Sequence, residues 1–303
     1  MLTIEKNSSR PEIKRYAGID IGSNATRLII KDVLPGETYD KALLKKSLYV
    51  RLPVRLGADV FEYGKIRKKK EKDFLNALKV YKSLLNFYEV KNFRACATSA
   101  VRSAENGKEV ISKIKAKTGI LIETIDIHEE AKLIFETNKY HLPEDCTFLS
   151  ADLGGGSLQL TLFKSNKLFR SYSYKIGTVR MLKNKVKGKE IKRFKNDLIH
   201  ILKTHKKIKL IGTGGNINSV SKIFRNKTVS LAFLKELYAE LLPLSIDERM
   251  LLHFFRADRA DVIIPALKTY INLMEITGIY EIYVPKTGLA DGIIRQLYED
   301  DFK

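Results

Sequence analysis

Tryptophan is absent from this chain, and the other scarce residue types exclude several classes of protein. Two cysteines, Cys96 and Cys146, are too few for a disulfide framework or a cysteine-based metal site, and they suit a reducing cytoplasm. The five histidines form no HxxxH, HExxH or His-Asp pattern, which argues against a zinc hydrolase and against an HD-type metal domain. We therefore expect a cytoplasmic protein whose chemistry does not depend on cysteine or histidine clusters.

Long hydrophobic runs are also missing. No segment approaches the roughly 20 apolar residues of a membrane-spanning helix, and the first residues, MLTIEKNSSRPEIKRY, lack the apolar region of a signal peptide. With 7 prolines and 44% apolar residues in 303, the chain has enough apolar material for folded cores. We expect about two soluble domains and no membrane partner.

Acidic residues are the minority charge, because 55 Lys and Arg face 35 Asp and Glu and give a net charge of +20. Residues 164–210 hold 16 of the basic side chains and only two acidic ones. Such a field attracts polyanions, namely polyphosphate, phosphorylated nucleotides, nucleic acid or an anionic membrane, although a solvated Lys-rich surface explains it equally well. Nucleic acid is disfavoured, because the aromatic residues do not alternate with basic ones as in base-stacking surfaces.

Two segments of the chain resemble each other, YAGIDIGSNATRLII at 16–30 and FLSADLGGGSLQLTLF at 148–163. Each contains an apolar run, an Asp, a turn of Gly and small polar residues, and a second alternating run, which predicts a β-hairpin. The two aspartates, Asp20 and Asp152, are 132 positions apart, close to the length of one domain. The repeat predicts an ancestral duplication into two similar α/β domains.

Glycine-rich turns suit phosphate, because they expose backbone N–H groups that no Cβ shields. A carboxylate at the base of each turn suits Mg²⁺, which proteins hold through one or two carboxylates, phosphate oxygens and water. Either turn alone is better explained as an ordinary polar hairpin, whereas the matching pair favours a binding site. The candidates are Gly22, Ser23 and Asn24 in the first turn, Gly154, Gly155, Gly156 and Ser157 in the second, and Asp20 and Asp152 for the metal.

Charged residues follow two further predicted strands. Arg102 in ATSAVRSAENG comes just after a strand with small residues, where its guanidinium could grip phosphate bidentately; the alternative is a surface charge. Glu129 and Glu130 begin a helix in IDIHEEAKLIF, where acidic residues commonly serve the helix dipole. In the functional interpretation one of these glutamates takes a proton from attacking water.

Strands alternate with helices along the chain, which predicts an α/β protein. The pattern predicts strands at 46–56 and 93–101 and a helix at 71–88. Later it predicts one helical stretch over 230–256. A strand, turn and helix in IGTGGNINSV (211–220) suit a phosphate at a helix N-terminus, whereas P-loop and Rossmann patterns are absent.

No linker rich in Gly, Ser or Pro separates the two halves. We therefore predict tightly coupled domains at 1–130 and 131–303 with a cleft between them, and a closing helix near 290–299 that could pack back on the first domain.

The motifs together resemble the exopolyphosphatase/guanosine pentaphosphate phosphohydrolase (Ppx/GppA) family, within the superfamily of actin, sugar kinases and Hsp70-type ATPases. The matching pieces are AGIDIGSNATRLII, RLGADVFEYGKI, ATSAVRSAENG, EEAKLIF, DLGGGSLQL, IGTVRM, IGTGGN and RADVIIPAL, in this order. The resemblance implies two RNase H-like (actin-like ATPase) domains with an interdomain cleft, in a short form without the C-terminal HD-type region.

The resemblance also implies an activity, the hydrolysis of a terminal phosphoanhydride with Mg²⁺ or Mn²⁺. Carried over by motif, Glu130 would be the catalytic base, with Glu129 the weaker candidate. Asp152 would be the main metal carboxylate and Asp20 its assistant. The phosphate-binding residues would be Ser23, Asn24, Arg102, Gly154, Gly155, Gly156 and Ser157.

This chain departs from the family pattern at four places that bear on activity, and one of them is LADG (Leu289 to Gly292) in place of an LREG-like signature. Asp126 and Ile127 replace Ser-Gly before the acidic pair, and Asn216 replaces a Thr. Leu158 and Gln159 stand where Thr-Glu is usual, so one active-site carboxylate is missing. We expect weaker metal affinity or slower turnover from this last change.

Three functions remain open from the sequence. The leading one is a hydrolase of polyphosphate or pppGpp, with the basic stretch 164–210 extending the cleft into a track for a long polyanion. The second is a polyphosphate or (p)ppGpp sensor that has lost catalysis, and the third is an ATP-dependent kinase or chaperone. A homodimer is left open.

Overall fold

A computed structural model describes residues 13–36, 41–138, 146–164, 167–205 and 207–302. Within these ranges the strands form two mixed sheets flanked by helices. The first sheet has the order β3-β2-β1-β4-β5 and the second β10-β11-β9-β6-β7-β8. The strands are β1 (Lys14–Ile21), β2 (Thr26–Leu34), β3 (Leu43–Leu52), β4 (Asn92–Ala97), β5 (Ile122–Thr124), β6 (Thr147–Leu153), β7 (Leu158–Lys164), β8 (Lys167–Tyr174), β9 (Ile208–Thr213), β10 (Thr228–Ser230) and β11 (Glu281–Tyr283).

The two predicted hairpins are confirmed, and they match residue for residue. Strand β1 pairs with β2 and β6 with β7, both antiparallel. The first turn closes with Gly22 N–H donating to Ala25 O at 3.1 Å, and the second with Gly154 N–H donating to Ser157 O at 3.0 Å. Each hairpin also has a parallel neighbour, β4 or β9. The predicted α/β fold with two similar halves is therefore confirmed.

Helices cover both sheets and supply most of the two large apolar cores. They are α1 (Leu56–Tyr63), α2 (Lys68–Phe87), α3 (Ser99–Ser103), α4 (Gly107–Thr118), α5 (Ile127–Asn138), α6 (Thr178–Leu182), α7 (Gly188–Thr204), α8 (Gly215–Ile223), α9 (Leu231–Leu241), α10 (Ile246–His253), α11 (Ala257–Ala260), α12 (Ile263–Thr277) and α13 (Leu289–Phe302).

Three predicted boundaries are wrong for identifiable local reasons. The strand predicted at 46–56 ends at Leu52, because Pro53 follows, and α1 begins at Leu56. The stretch 230–256 is two helices, since α9 ends before Pro243 and Ser245 begins α10 with a capping box to Glu248. The strand predicted at 93–101 ends at Ala97, and its last residues form α3.

The closing helix α13 packs against the first sheet. Tyr298 meets the ring of Tyr16 on β1 edge to face at 5.9 Å, and the Tyr16 hydroxyl donates to Asp301 at 2.6 Å. Leu289 and Ile293 share a small core with Leu133 of α5. Helix α5 crosses position 130 without a break. The division into two domains at 130/131 stays a prediction.

Some predictions fall outside the described residues. They are positions 139 and 140, where the segment EEAKLIFETNKY (129–140) predicts the end of a helix, and residues 1–12 at the start of the chain. In the part of the chain that is described, no helix is long and apolar enough to cross a membrane.

Candidate functional site

A cavity of about 510 Å³ lies where the two hairpin turns face each other. Its wall includes the ends of β1 and β6, the first turn of α8 and part of α5. Nine of the ten predicted site residues line it, and these are Asp20, Ser23, Asn24, Glu130, Asp152, Gly154, Gly155, Gly156 and Ser157.

The two turns contact each other directly. A Cβ on Gly156 would lie 2.8 Å from Ser23 Oγ and 2.4 Å from Ser99 Oγ, and one on Gly155 would lie 3.1 Å from Ser23 Cβ. Those separations leave no room for a side chain. Gly156 is therefore favoured by the close approach of Ser23 of the first turn and of Ser99.

Arg27 neutralises the first aspartate. The β1–β2 register places Arg27 opposite Asp20, and their side chains form an ion pair. Burial opposes the charge of Arg27, but the nearby acidic groups, Asp20 first and Asp152 among them, together outweigh it and raise the Arg27 pKa. The carboxylate of Asp20, which lines the cavity, is therefore already paired with a cation.

Asp152 differs from Asp20 in having no neutralising cation paired with it among the described residues. No described cation forms an ion pair with it, and burial raises the pKa of its carboxyl to about 6, with the charge of Asp20 acting in the same direction. A Cβ on Gly214 would lie 2.7 Å from Asp152 Oδ1. Gly214 also has φ +94°, which favours glycine, so Asp152 lies directly beside the start of α8.

Glu130 is the buried carboxylate at the cavity edge. Burial and the charges of Asp152 and Asp20 raise its pKa to about 7, although Arg102 opposes this shift. Both terminal nitrogens of Arg102 donate to Glu130 Oε2 at 3.3 Å, and one also donates to Ile125 O at 2.6 Å. Arg102 is the predicted site residue that does not line the cavity, since it holds Glu130 from behind.

Two other acidic residues near Glu130 make contacts away from the cavity. Glu129 binds Arg94 and lies outside the cavity, so the geometry favours Glu130 over Glu129 as a base. Asp126, one of the departures from the family pattern, accepts from Glu129 N–H at 2.8 Å and thereby caps the start of α5.

A buried cation that the sequence reasoning missed is Arg259. Its guanidinium donates to the neutral amide oxygen of Asn216 in the first turn of α8, and it has no carboxylate partner among the described residues. Burial, together with the nearby guanidinium groups of Arg51 and Arg27, lowers its pKa to about 9. A buried cation without a counter-ion, beside a helix N-terminus, is suited to an anion.

The expected extension of the cleft by the basic stretch 164–210 stays a prediction, because among the described residues of this stretch only Thr178 lines the cavity. None of its described Lys or Arg side chains is part of the wall. The cations that do line it come from all over the chain and are Arg27, Lys46, Arg51, Lys222, Arg256, Arg259 and Lys286.

Ion pairs across the cleft hold the two halves together. Arg51 of β3 pairs with Asp258, and Arg55 pairs with Asp261 at 2.5 Å. The Asn24 amide also donates to Asp258 O at 2.8 Å. The first turn is thus fixed to the segment that carries Arg259.

Several known proteins are similar to this chain. Guanosine-5'-triphosphate,3'-diphosphate pyrophosphatase from Vibrio vulnificus is 23% identical over 95% of this chain and 61% of its own length. A bifunctional 3-dehydroquinate synthase/phosphatase from Fusobacterium nucleatum is 32% identical over 54% of this chain and 25% of its own length. The chain therefore spans less than two thirds of these relatives.

Solved structures match over nearly the whole chain. A Ppx/GppA family member from Aquifex aeolicus aligns with a TM-score of 0.77 and 25% identity, covering 96% of this chain and 100% of that one. An exopolyphosphatase from Cytophaga hutchinsonii aligns at 0.81 and 23% identity, covering 95% and 98%, and supports the fold. Residues 50–300 match the sequence model of the Ppx/GppA phosphatase family. The chain belongs to the Ppx/GppA phosphatase family.

Proposed function

We propose that this protein hydrolyses the terminal phosphoanhydride of polyphosphate or of pppGpp with the help of Mg²⁺ or Mn²⁺. The observation that carries the proposal is Glu130, a buried carboxyl whose pKa is raised by burial to about 7, in the same cavity as the buried cation Arg259. A base and an anion-binding cation in one cavity between two glycine-rich turns suit phosphoryl transfer to water.

Glu130 would act as the general base. Its ionised carboxylate takes a proton from water as the water oxygen bonds to the terminal phosphorus and the bridging P–O bond breaks. Phosphate then leaves, together with the shortened polyphosphate or ppGpp. A pKa near the working pH lets the carboxyl accept the proton in one step and release it afterwards. Arg102 would fix the orientation of Glu130 by holding its Oε2.

The residues present fit a divalent cation that arrives with phosphate. In the described residues no group of three or more His, Cys, Asp or Glu is arranged to hold a metal by itself. Asp152, which has no ion pair among the described residues, would hold the cation together with the amide oxygen of Gln159, and Asp20, already paired with Arg27, would assist through water. When bound, Mg²⁺ neutralises charge on the phosphate oxygens.

Phosphate would be bound on three sides. The first turn of α8 and the guanidinium of Arg259 form one side, as a helix N-terminus and a buried cation. The other two sides are the hairpin turns, which supply backbone N–H groups and the hydroxyls of Ser23 and Ser157. Arg102 would bind phosphate only after its guanidinium releases the carboxylate of Glu130.

A second candidate function is a sensor that binds polyphosphate or (p)ppGpp without turnover. It is favoured by Gln159, because an amide stands beside Asp152 where a carboxylate would strengthen the hold on a metal. The cation-rich cavity would then serve binding alone.

The decisive experiment measures phosphate release from polyphosphate and from pppGpp, with Mg²⁺ and at one ionic strength. We expect turnover by the unmodified protein and a loss of about a hundredfold or more in Glu130→Gln. Glu129→Gln is the matched control, since its side chain binds Arg94 outside the cavity, and it should keep most of the activity.

Two results would overturn the catalytic proposal. Equal phosphate release by the unmodified protein and Glu130→Gln would remove Glu130 as the base. Salt-sensitive binding of either substrate without measurable turnover would favour the sensor. Tight adenosine binding with ATP consumption would instead support the kinase or chaperone alternative.

A further inference from the structure

Gln159 is buried in the cavity wall without a hydrogen-bond partner. The residue is 2% exposed, and neither Oε1 nor Nε2 of its amide has a partner among the described residues. Leaving a buried polar group unsatisfied costs about 1–3 kcal/mol. Because the residue lines the cavity, a ligand that enters can supply both bonds, a cation at Oε1 and an anionic oxygen at Nε2.

The strand register sets Gln159 beside Asp152. The two residues are direct partners in the antiparallel pair of β6 and β7, so their side chains project from the same face of the sheet. The equivalent partners in the first hairpin are Asp20 and Arg27, which form an ion pair. One aspartate of the duplicated pair therefore has a cation as its neighbour, and the other has a neutral amide.

The charges in the cavity leave Asp152 as the carboxylate that has no ion pair among the described residues. Arg259 is likewise a buried cation without a carboxylate partner there. A divalent cation held by one carboxylate and one amide still needs negative charge, and an anion beside Arg259 can supply it. The other carboxylates of the wall are already paired, Asp20 with Arg27, Glu130 with Arg102 and Asp291 with Lys31.

We propose that Gln159 makes this a site that a divalent cation and a phosphate anion fill together, with neither bound tightly alone. This inference rests on the proposed phosphohydrolase function and deepens it. The amide oxygen of Gln159 faces the cation and its N–H₂ group donates to the anion. A carboxylate at the same place would hold the cation without the anion and would repel phosphate.

The test measures the binding of Mn²⁺ by electron paramagnetic resonance, with and without saturating inorganic phosphate at fixed ionic strength. We expect phosphate to tighten Mn²⁺ binding at least tenfold after correction for Mn²⁺ complexed by phosphate in solution. Because coupling is reciprocal, Mn²⁺ must tighten phosphate binding by the same factor, which calorimetry checks independently. Equal Mn²⁺ affinity with and without phosphate overturns the inference.

Substitutions then distinguish a specific effect of the Gln159 side chain from an effect of the total charge in the cavity. Gln159→Glu should bind Mn²⁺ without phosphate at least tenfold more tightly and lose most of the coupling. Lys46→Met is the matched control, because it also makes the same wall more negative by one charge but adds no oxygen ligand, and it should change Mn²⁺ affinity less than threefold. An equal gain in both variants, or no gain in Gln159→Glu, overturns the assignment.

A second substitution tests the amide itself. Gln159→Met keeps the length of the side chain and removes both hydrogen-bonding atoms, so it should reduce the coupling between Mn²⁺ and phosphate without unfolding the protein. Unfolding curves verify the fold of each variant. If coupled binding occurs without turnover, the inference stands and the hydrolase proposal fails. If turnover occurs and Mn²⁺ binds tightly without phosphate, the inference alone fails.

Discussion

The ionisation of Glu130 should make the protein less stable as the pH rises, and Glu130→Gln should remove this loss. Burial raises the pKa of the folded carboxyl from 4.5 to about 7, so the native state keeps a proton that the unfolded chain has already released. Between these two values the free energy of unfolding must fall with increasing pH.

The size of the effect follows from the shift. A difference of about 2.5 pKa units at about 1.4 kcal/mol per unit corresponds to roughly 3 kcal/mol above pH 7. The amide introduced by Glu130→Gln cannot ionise, and its oxygen can still accept from Arg102. The difference in free energy of unfolding between the variant and the unmodified protein should therefore shift in favour of the variant by up to about 3 kcal/mol between pH 4.5 and pH 8. This shift does not depend on the size of the difference at pH 4.5.

The assay is urea unfolding of both proteins at pH 5, 6, 7 and 8. Glu129→Gln again serves as the control, because it removes the adjacent carboxylate outside the cavity. A stability difference between Glu130→Gln and the unmodified protein that stays constant with pH would refute the reasoning. So would a difference that shrinks towards pH 8.

Three further predictions address catalysis, anion binding and packing. If Glu130 is the base, phosphate release should rise with pH through about 7 and then level off, which a pH–rate profile at saturating substrate checks; a profile flat from pH 5.5 to 8.5 would contradict it. Arg259→Met should weaken phosphate binding at least tenfold by calorimetry while the unfolding midpoint stays level or rises, because the change removes a buried cation without a counter-ion; a stability loss with normal phosphate affinity would show a structural role. Gly156→Ala should destabilise the protein by about 1–3 kcal/mol in urea unfolding, because its Cβ would meet Ser23 and Ser99; Gly188→Ala, where nothing lies within 4 Å, is the control.

The hairpins show why part of the site could be predicted from the sequence. A β-turn and its flanking strands are local, so the position of Asp20 before one turn and Asp152 before the other follows from a short pattern. The exact repeat of the turn hydrogen bonds at Gly22 and Gly154 then brings equivalent positions to the same end of each sheet. Pro53 and Pro243 are the local signals that end β3 and α9 earlier than the predicted boundaries.

The cations of the cavity show where sequence reasoning stops. The sequence indicates that positive charge is abundant at 164–210, but net charge contains no information about which side chains a fold turns inward. Arg259 is brought to the cavity by long-range packing of the segment before α12 against the start of α8. Arg27 was within reach of prediction, because the hairpin register sets it opposite Asp20.

The sequence alone determined the duplicated hairpins, the α/β alternation and the positions of Asp20 and Asp152 before the two turns, because turns, strand periodicity and short motifs depend on neighbouring residues. Tertiary structure alone decided that Arg102 holds Glu130 and that, among the described residues, Arg259 has no carboxylate partner and the amide atoms of Gln159 beside Asp152 have no hydrogen-bond partner. Burial and pairing depend on residues far apart in the chain, and they set the charge of each group. For this reason the chemistry of the cavity could be read only from the folded molecule.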